Sequence, residues 1–205
     1  SLNNIAIIHI NHGAFQKSME VLFEALEIDK KLGNKQGICS KLTNLGVVAI
    51  EAGQEEDAVK YLLEAIEYDI ELKKTGSLIG DIHRVYSFLD ITNKEKLDAI
   101  IQSIDTKELT PKELTWMADI ELIRLCGQPE EINSSKLFAK AEEIIRLKKH
   151  WQDNDIDDLP VQTFYVAAKR LVELGSLVEA KSLSHQALQW IGDRITIRKS
   201  ELQLI

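Results

Sequence analysis

The stretch LTNLGVVAIEAG, residues 42–53, decides the fold class of this chain. From Leu42 onward its apolar residues recur three and four apart, as they do on one face of an α-helix. Asn44 and Gly46 lie within this helical pattern, although both residue types weaken a helix relative to alanine. The reason for these two residues therefore lies outside the helix itself.

A copy of this stretch lies forty residues earlier in the chain. Residues 1–37 aligned with 41–77 share ten identities, where composition alone would give about two. The identical pairs are Leu2/Leu42, Asn4/Asn44, Ile10/Ile50, Gly13/Gly53, Leu22/Leu62, Glu24/Glu64, Ala25/Ala65, Glu27/Glu67, Asp29/Asp69 and Leu32/Leu72. A third copy begins in the same register, with Asn93 where Gly53 stood. A period of this length indicates structural units that stack on each other.

Each unit has the pattern of a helical hairpin. A second apolar stripe follows the turn at Gly53 and comprises Ala58, Leu62, Ala65 and Ile66. The third copy continues with Ile82, Val85, Tyr86 and Leu89. A single hairpin leaves apolar faces uncovered, so the sequence predicts an all-α array of stacked helix pairs.

The second half of the chain carries the same pattern more loosely. Thr110, Pro111 and Glu113 are typical of a capped helix start, and this helix ends near Gly127. A clearer copy returns with Phe164, Ala167, Ala168, Leu171, Gly175, Ala180 and Ala187. We predict one domain over 1–205, with units at about 1–40, 41–80, 81–110, 111–152 and 160–192 and a C-terminal helix at 193–205.

The pattern resembles the tetratricopeptide repeat. The signature W-x2-L-G-x2-Y followed by A-x3-F falls on Leu42, Leu45, Gly46, Ala49, Ala58 and Leu62, with leucine for Trp and Phe and alanine for Tyr. The forty-residue period overlaps HEAT and armadillo lengths, but the small residues favour long tetratricopeptide units, similar to those of kinesin light chains and of peptide-sensing regulators in Gram-positive bacteria. The resemblance implies a right-handed superhelical α-solenoid of antiparallel helix pairs.

In such an array the first helix of each pair lines the concave groove, and helical counting from the core stripe gives the groove-facing positions. In the first three units these are Asn4, Ile7, Asn11, Ser40, Asn44, Val47, Glu51, Gly80, Arg84, Ser87 and Ile91, with His83 at the border. In the last two they are Ala118, Glu121, Leu125, Gln162, Val166, Lys169 and Glu173. We take this mixed polar and apolar surface as the candidate peptide- or protein-binding site.

An asparagine amide both donates and accepts hydrogen bonds, so a column of asparagines can pair with an extended peptide backbone. Asn4 and Asn44 form that column, and Arg84 follows it as a candidate partner for a carboxylate. In the long tetratricopeptide families this asparagine contacts peptide backbone. Of the five residues of the family's carboxylate clamp, only Asn44 and Arg84 are matched. The alternative is that Asn4 and Asn44 are helix-surface amides that face water.

Other classes of site find little support. A net charge of -8 disfavours nucleic-acid binding, and no segment has the length of a membrane span. The acidic run 153–158 lacks the glycine and glutamate of an EF-hand, and the five histidines show no zinc spacing. We predict no metal, no cofactor and no catalysis in this sequence. Cys39 and Cys126 are interpreted as buried thiols in a reducing cytoplasm, a disulfide being the alternative.

These patterns lead to a hypothesis of function. We expect a cytoplasmic binding scaffold or sensory module that takes a protein or peptide segment in its groove. The resemblance implies that it regulates an attached output domain in bacterial signal transduction, and the non-methionine start favours a piece of a larger protein. The alternative is a structural module that self-associates, for example as a homodimer, without a groove ligand.

Overall fold

The computed structural model describes residues 14–127, 133–148 and 161–191, and within these ranges it contains nine α-helices and no strand. The all-α prediction is confirmed. The helices are α1 (Phe15–Lys31), α2 (Lys35–Glu51), α3 (Glu55–Leu72), α4 (Thr75–Val85), α5 (Ile91–Gln102), α6 (Pro111–Cys126), α7 (Ser134–Lys148), α8 (Val161–Glu173) and α9 (Leu177–Ile191). Short 3₁₀ segments occupy Tyr86–Phe88 and Thr106–Glu108. The chain divides into two compact units, Ser1–Asp105 and Thr106–Ile205.

In the first unit, α2 and α3 form an antiparallel pair. Cys39 contacts Asp69, and the Gly46 backbone lies against Leu62. Residue numbers on α3 therefore fall as the numbers of their contacts on α2 rise. The predicted seam is buried throughout. Its core, which includes residues of α1, comprises Met19, Leu22, Leu26, Ile38, Leu42, Leu45, Val48, Ala49, Ala58 and Ala65.

Gly46 is explained by the helix that crosses it. A Cβ atom at this position would lie 2.5 Å from Leu62 Cγ and 2.7 Å from Leu62 Cδ2. Carbon atoms in contact prefer roughly 3.5–4.0 Å, so the hydrogen of glycine permits the close approach of α2 and α3. Glycine is a weak helix former, but the packing of α2 against α3 requires it at position 46.

The turns of the first unit share one construction. Gly33, Gly53 and Lys73, twenty residues apart, each follow a helix with positive φ, of +64°, +71° and +54°. The next residue donates its N–H to a carbonyl five residues back, as Asn34 does to Asp29 at 2.9 Å. This is the hydrogen bond of a Schellman C-cap. Lys73 is the one non-glycine residue with positive φ in the described ranges.

The turns place the unit boundaries differently from the sequence analysis. The predicted limits at 40/41 and 80/81 fall inside α2 and α4, because the chain turns at 32–34 and 73–74. The turn that the third copy predicts at Asn93, the counterpart of Gly53, is wrong. Helix α4 ends at Val85, Leu89 is extended, and the Asp90 carboxylate accepts the Asn93 N–H at 2.8 Å. Asn93 therefore lies within α5. One continuous array of five units remains a prediction.

The second unit begins with the predicted capping box. Thr110 accepts the Glu113 N–H, and the Glu113 carboxylate accepts the Thr110 N–H at 2.7 Å, with Pro111 opening α6. Helices α6 to α9 enclose a separate core. It comprises Ala118, Leu122, Leu137, Ala141, Ile144, Phe164, Ala167, Ala168, Leu171, Ala180, Leu183 and Ala187. The apolar positions predicted for the fifth unit are thus confirmed as core.

Two predictions about the chain as a whole can be compared with the described residues. Both thiols are free; Cys39 is buried, whereas Cys126 is only half-buried. Among the described helices, none has the combination of length and apolar composition that crossing a bilayer requires.

Candidate functional site

The candidate groove surface of the first unit lies on α2. Ser40, Asn44 and Val47 are half-buried at successive turns of one face, and Glu51 is exposed at the last residue of the helix. The predicted stripe on α2 is therefore partly accessible and contiguous along the helix. Asn4, Ile7 and Asn11 lie outside the described residues.

The side chain of Asn44 makes no hydrogen bond with any part of the chain that the structure describes. It is half-buried, with neighbours Leu45 and Gly46 buried in the seam. An amide in this position retains two N–H donors and a carbonyl acceptor for an external partner or for water. Asn44 can thus make polar contacts with a ligand from the predicted stripe of α2.

Arg84 is already engaged within the fold. Its Nη1 lies 3.2 Å from Oδ1 of Asp81, and the arginine side chain is 29% exposed while that of Asp81 is 1% exposed. Thr43 Oγ1 donates to the other carboxylate oxygen of Asp81 at 2.6 Å. The predicted ligand-binding arginine therefore has an internal counterion, and the Thr43–Asp81 bond joins α2 to α4.

The remaining positions predicted in the third unit do not form one stripe with Arg84. His83 is half-buried on α4, and Ser87 is exposed in the 3₁₀ segment. Ile91 begins α5 and is 75% exposed. Its assignment to the groove face of the first helix is wrong, because that helix ends at Val85 and Asp90 caps a new one.

Sequence reasoning missed a buried polar group between α2, α3 and α4. The Cys39 thiol donates to Asp69 Oδ1 at 3.1 Å, and neither Asp69 nor Asp81 is accessible to solvent. The repeat contains the signal that identifies it. Asp29, forty residues before Asp69, pairs with Lys41 at 3.3 Å, but the position forty after Lys41 is Asp81. The second copy therefore buries two acids where the first holds an ion pair.

Burial controls the protonation of this group. It raises the pKa of Asp81 to about 6, although the Thr43 hydrogen bond and the charge of Arg84 oppose the shift. It also raises the pKa of Asp69, against hydrogen bonds from Cys39 and Ser77. The Cys39 pKa rises to about 12, chiefly by burial and then by its bond to Asp69. A thiol with such a pKa stays protonated and is a poor nucleophile.

The second unit also contains a threonine–aspartate hydrogen bond between two helices, and part of its predicted groove-facing stripe is buried. Thr163 on α8 donates to Asp119 Oδ2 on α6 at 3.1 Å, and both residues are buried. Ala118 and Leu125 were predicted to face the groove and are instead buried. Glu121 pairs with Arg124, Glu173 pairs with Arg170, and Val166 and Lys169 are exposed. The side chain of Gln162 lies outside the described residues.

The described residues do not bring together three His, Cys, Asp or Glu side chains in a way that could hold a metal ion. Comparison of the sequence with protein-family models matches no family, and comparison with curated proteins finds no relative. The tetratricopeptide resemblance therefore depends on the residues quoted above, and its functional consequences are proposals.

Proposed function

We propose that the chain is a tetratricopeptide-like superhelical scaffold that binds an extended protein or peptide segment along the first helices of its pairs. The half-buried amide of Asn44, which has no hydrogen-bond partner among the described residues, carries the proposal. Ser40 and Val47 flank it on the same face of α2 and supply a second polar contact and an apolar one. In this proposal the bound segment regulates an output domain of a bacterial signalling protein in the cytoplasm.

The experiment selects peptides from a random display library against the full chain and measures their affinity for Asn44→Ala. Loss of two backbone hydrogen bonds, at about 1 kcal/mol each, predicts roughly a tenfold or greater weakening. Gln102→Ala is the matched control, because it removes an exposed amide from α5 of the same unit. Unchanged affinity in Asn44→Ala would show that this face of α2 does not hold the peptide.

A second candidate function is self-association, which the exposed apolar residues of α9 favour. Leu177 and Val178 are 63% and 80% exposed, on the last described helix. If this surface joins two copies, Leu177→Lys combined with Val178→Lys converts a dimer to a monomer in sedimentation velocity. Ile91→Lys, at an equally exposed apolar position of the first unit, leaves the sedimentation unchanged. A wild-type chain that is already monomeric removes this candidate.

A further inference from the structure

A cleft of the first unit, distinct from the candidate groove, combines an apolar floor with an acidic rim. It has a volume of about 360 Å³ and lies between the start of α3 and the segment that joins α4 to α5. Val59, Phe88 and Leu89 provide the floor. Glu55, Glu56 and Asp90 provide the rim. The volume is at the lower end of the range of about 300–1,000 Å³ for ligand sites, which suits one long side chain better than a whole cofactor.

Among the described residues, the rim carboxylates have no cationic partner. None of Glu55, Glu56 and Asp90 forms an ion pair with a residue that the structure describes, although the unit contains several such pairs. The Asp90 carboxylate is held in place, because it accepts from both the N–H and the side-chain amide of Asn93, at 2.8 and 3.3 Å. The cleft therefore offers one fixed and two adjustable carboxylates.

Helix capping explains part of this charge but not all of it. Glu55 and Glu56 lie in the first turn of α3, and Asp90 caps α5, where acidic residues interact favourably with the positive helix end. Each helix N-terminus is equivalent to about +0.5 charge, so two N-termini offset only about one of the three negative charges. Roughly two uncompensated negative charges remain beside an apolar surface.

A side chain with an apolar stem and a cationic head matches this combination. Arginine and lysine both bury their methylene groups on apolar surface while the charge stays among carboxylates. Arginine fits better, because its planar guanidinium stacks on aromatic rings such as that of Phe88 and donates to two carboxylates at once. Phe88 is half-buried, which leaves part of its ring accessible.

We propose that this cleft binds an arginine side chain of a partner protein segment, with the stem against Val59 and Leu89 and the guanidinium between the Glu55, Glu56 and Asp90 carboxylates. The site uses none of the residues of the candidate groove. It adds a contact for a basic segment at a second place on the unit, and it stands whether or not the groove on α2 holds a peptide.

The test is a titration of the isotopically labelled full chain, followed by NMR, with an end-capped alanine pentapeptide that contains one central arginine. The expected result is a saturable shift of the amide signals of Val59, Leu89 and Asn93. The same peptide with citrulline, which has the shape of arginine without its charge, gives no shift. Shifts spread over acidic residues throughout the chain would instead reveal nonspecific attraction and overturn the proposal.

Two matched variants locate the site. Glu55→Gln with Glu56→Gln weakens binding about tenfold, as expected for loss of two charge-assisted contacts. Glu24→Gln with Glu67→Gln removes the same charge from exposed positions outside the cleft and leaves the affinity unchanged. Equal weakening by both pairs would overturn the proposal. Asn44→Ala is predicted to leave this binding intact, so failure here is separable from failure of the groove proposal.

Discussion

Replacing Gly46 by alanine tests how closely α2 and α3 pack. In an exposed helix interior, glycine to alanine stabilises by about 1 kcal/mol. Here the new Cβ would lie 2.5 Å from Leu62 Cγ, and Leu62 is itself fully buried in the seam. Overpacking of a core typically costs about 1–3 kcal/mol, so we expect Gly46→Ala to destabilise the first unit by about 1 kcal/mol.

The sign of this effect should reverse when Leu62 is truncated. Leu62→Ala alone costs about 2–5 kcal/mol, because it empties a fully buried position. It also removes the atoms that the new Cβ would meet. In the Leu62→Ala background, Gly46→Ala should therefore stabilise by about 0.5–1 kcal/mol, which amounts to a coupling energy of about 2 kcal/mol between the two sites.

Urea unfolding measured by two probes provides the assay. All three tryptophans follow residue 105, so tryptophan fluorescence reports on the second unit, whereas far-ultraviolet circular dichroism reports on helices of both. The shift should be seen by circular dichroism. Gly127→Ala is the control, since its nearest atom would be 3.7 Å away. If Gly46→Ala stabilises the wild-type background, the close approach of these helices is not what requires the glycine.

Three further changes have defined outcomes. Lys73→Gly should stabilise the first unit by about 0.5–1 kcal/mol, because the backbone of Lys73 is left-handed and glycine adopts that conformation without strain. Lys73→Ala should change the stability little, and equal effects of the two substitutions in urea unfolding would contradict this reasoning. Burial raises the pKa of Asp81 from 3.8 to about 6, so the stability that protonated Asp81 contributes is full below about pH 4 and is lost as pH rises through 6. Asp81→Asn should therefore stabilise the chain by about 3 kcal/mol at neutral pH and little in acid, and a difference from wild type that is constant with pH would oppose this. Burial raises the pKa values of the Cys39 and Cys126 thiols to about 12, so both thiols stay protonated near pH 8. Ellman's reagent at about pH 8 should therefore label them at least about a hundredfold more slowly in the native chain than in concentrated guanidinium. Rapid labelling of the native chain would refute this prediction.

The sequence predicts the packing of this protein better than its helix ends. Leu42, Leu45 and Leu62 could be placed in the core because burial imposes the helical period on apolar residues. The end of α4 could not be placed by comparing copies. The third unit departs from the period because the Asp90 side chain satisfies a backbone donor and begins α5 before the expected turn.

The candidate site was predictable only in part. Asn44 stood out because the apolar pattern that places Leu42 and Leu45 in the core gives an asparagine at this position no packing role. Periodicity assigns polar residues to the solvent side, so it could not reveal that Asp69 and Asp81 are buried. It could also not reveal the internal partner of Arg84, because Asp81 belongs to the same polar set and only the packing of α2 against α4 determines its surroundings.

Two threonine–aspartate hydrogen bonds restrict how the helices that they join are aligned along their length. Thr43 and Asp81 join α2 to α4, and Asp119 and Thr163 join α6 to α8. A slip of one helical turn would separate a carboxylate that is buried from water from its hydroxyl donor, which is costly. These bonds thus select a single alignment. Thr43→Val with Asp81→Leu should retain helicity by circular dichroism while NMR signals of α2 and α4 broaden; sharp, singly populated signals would show that apolar packing alone sets the alignment.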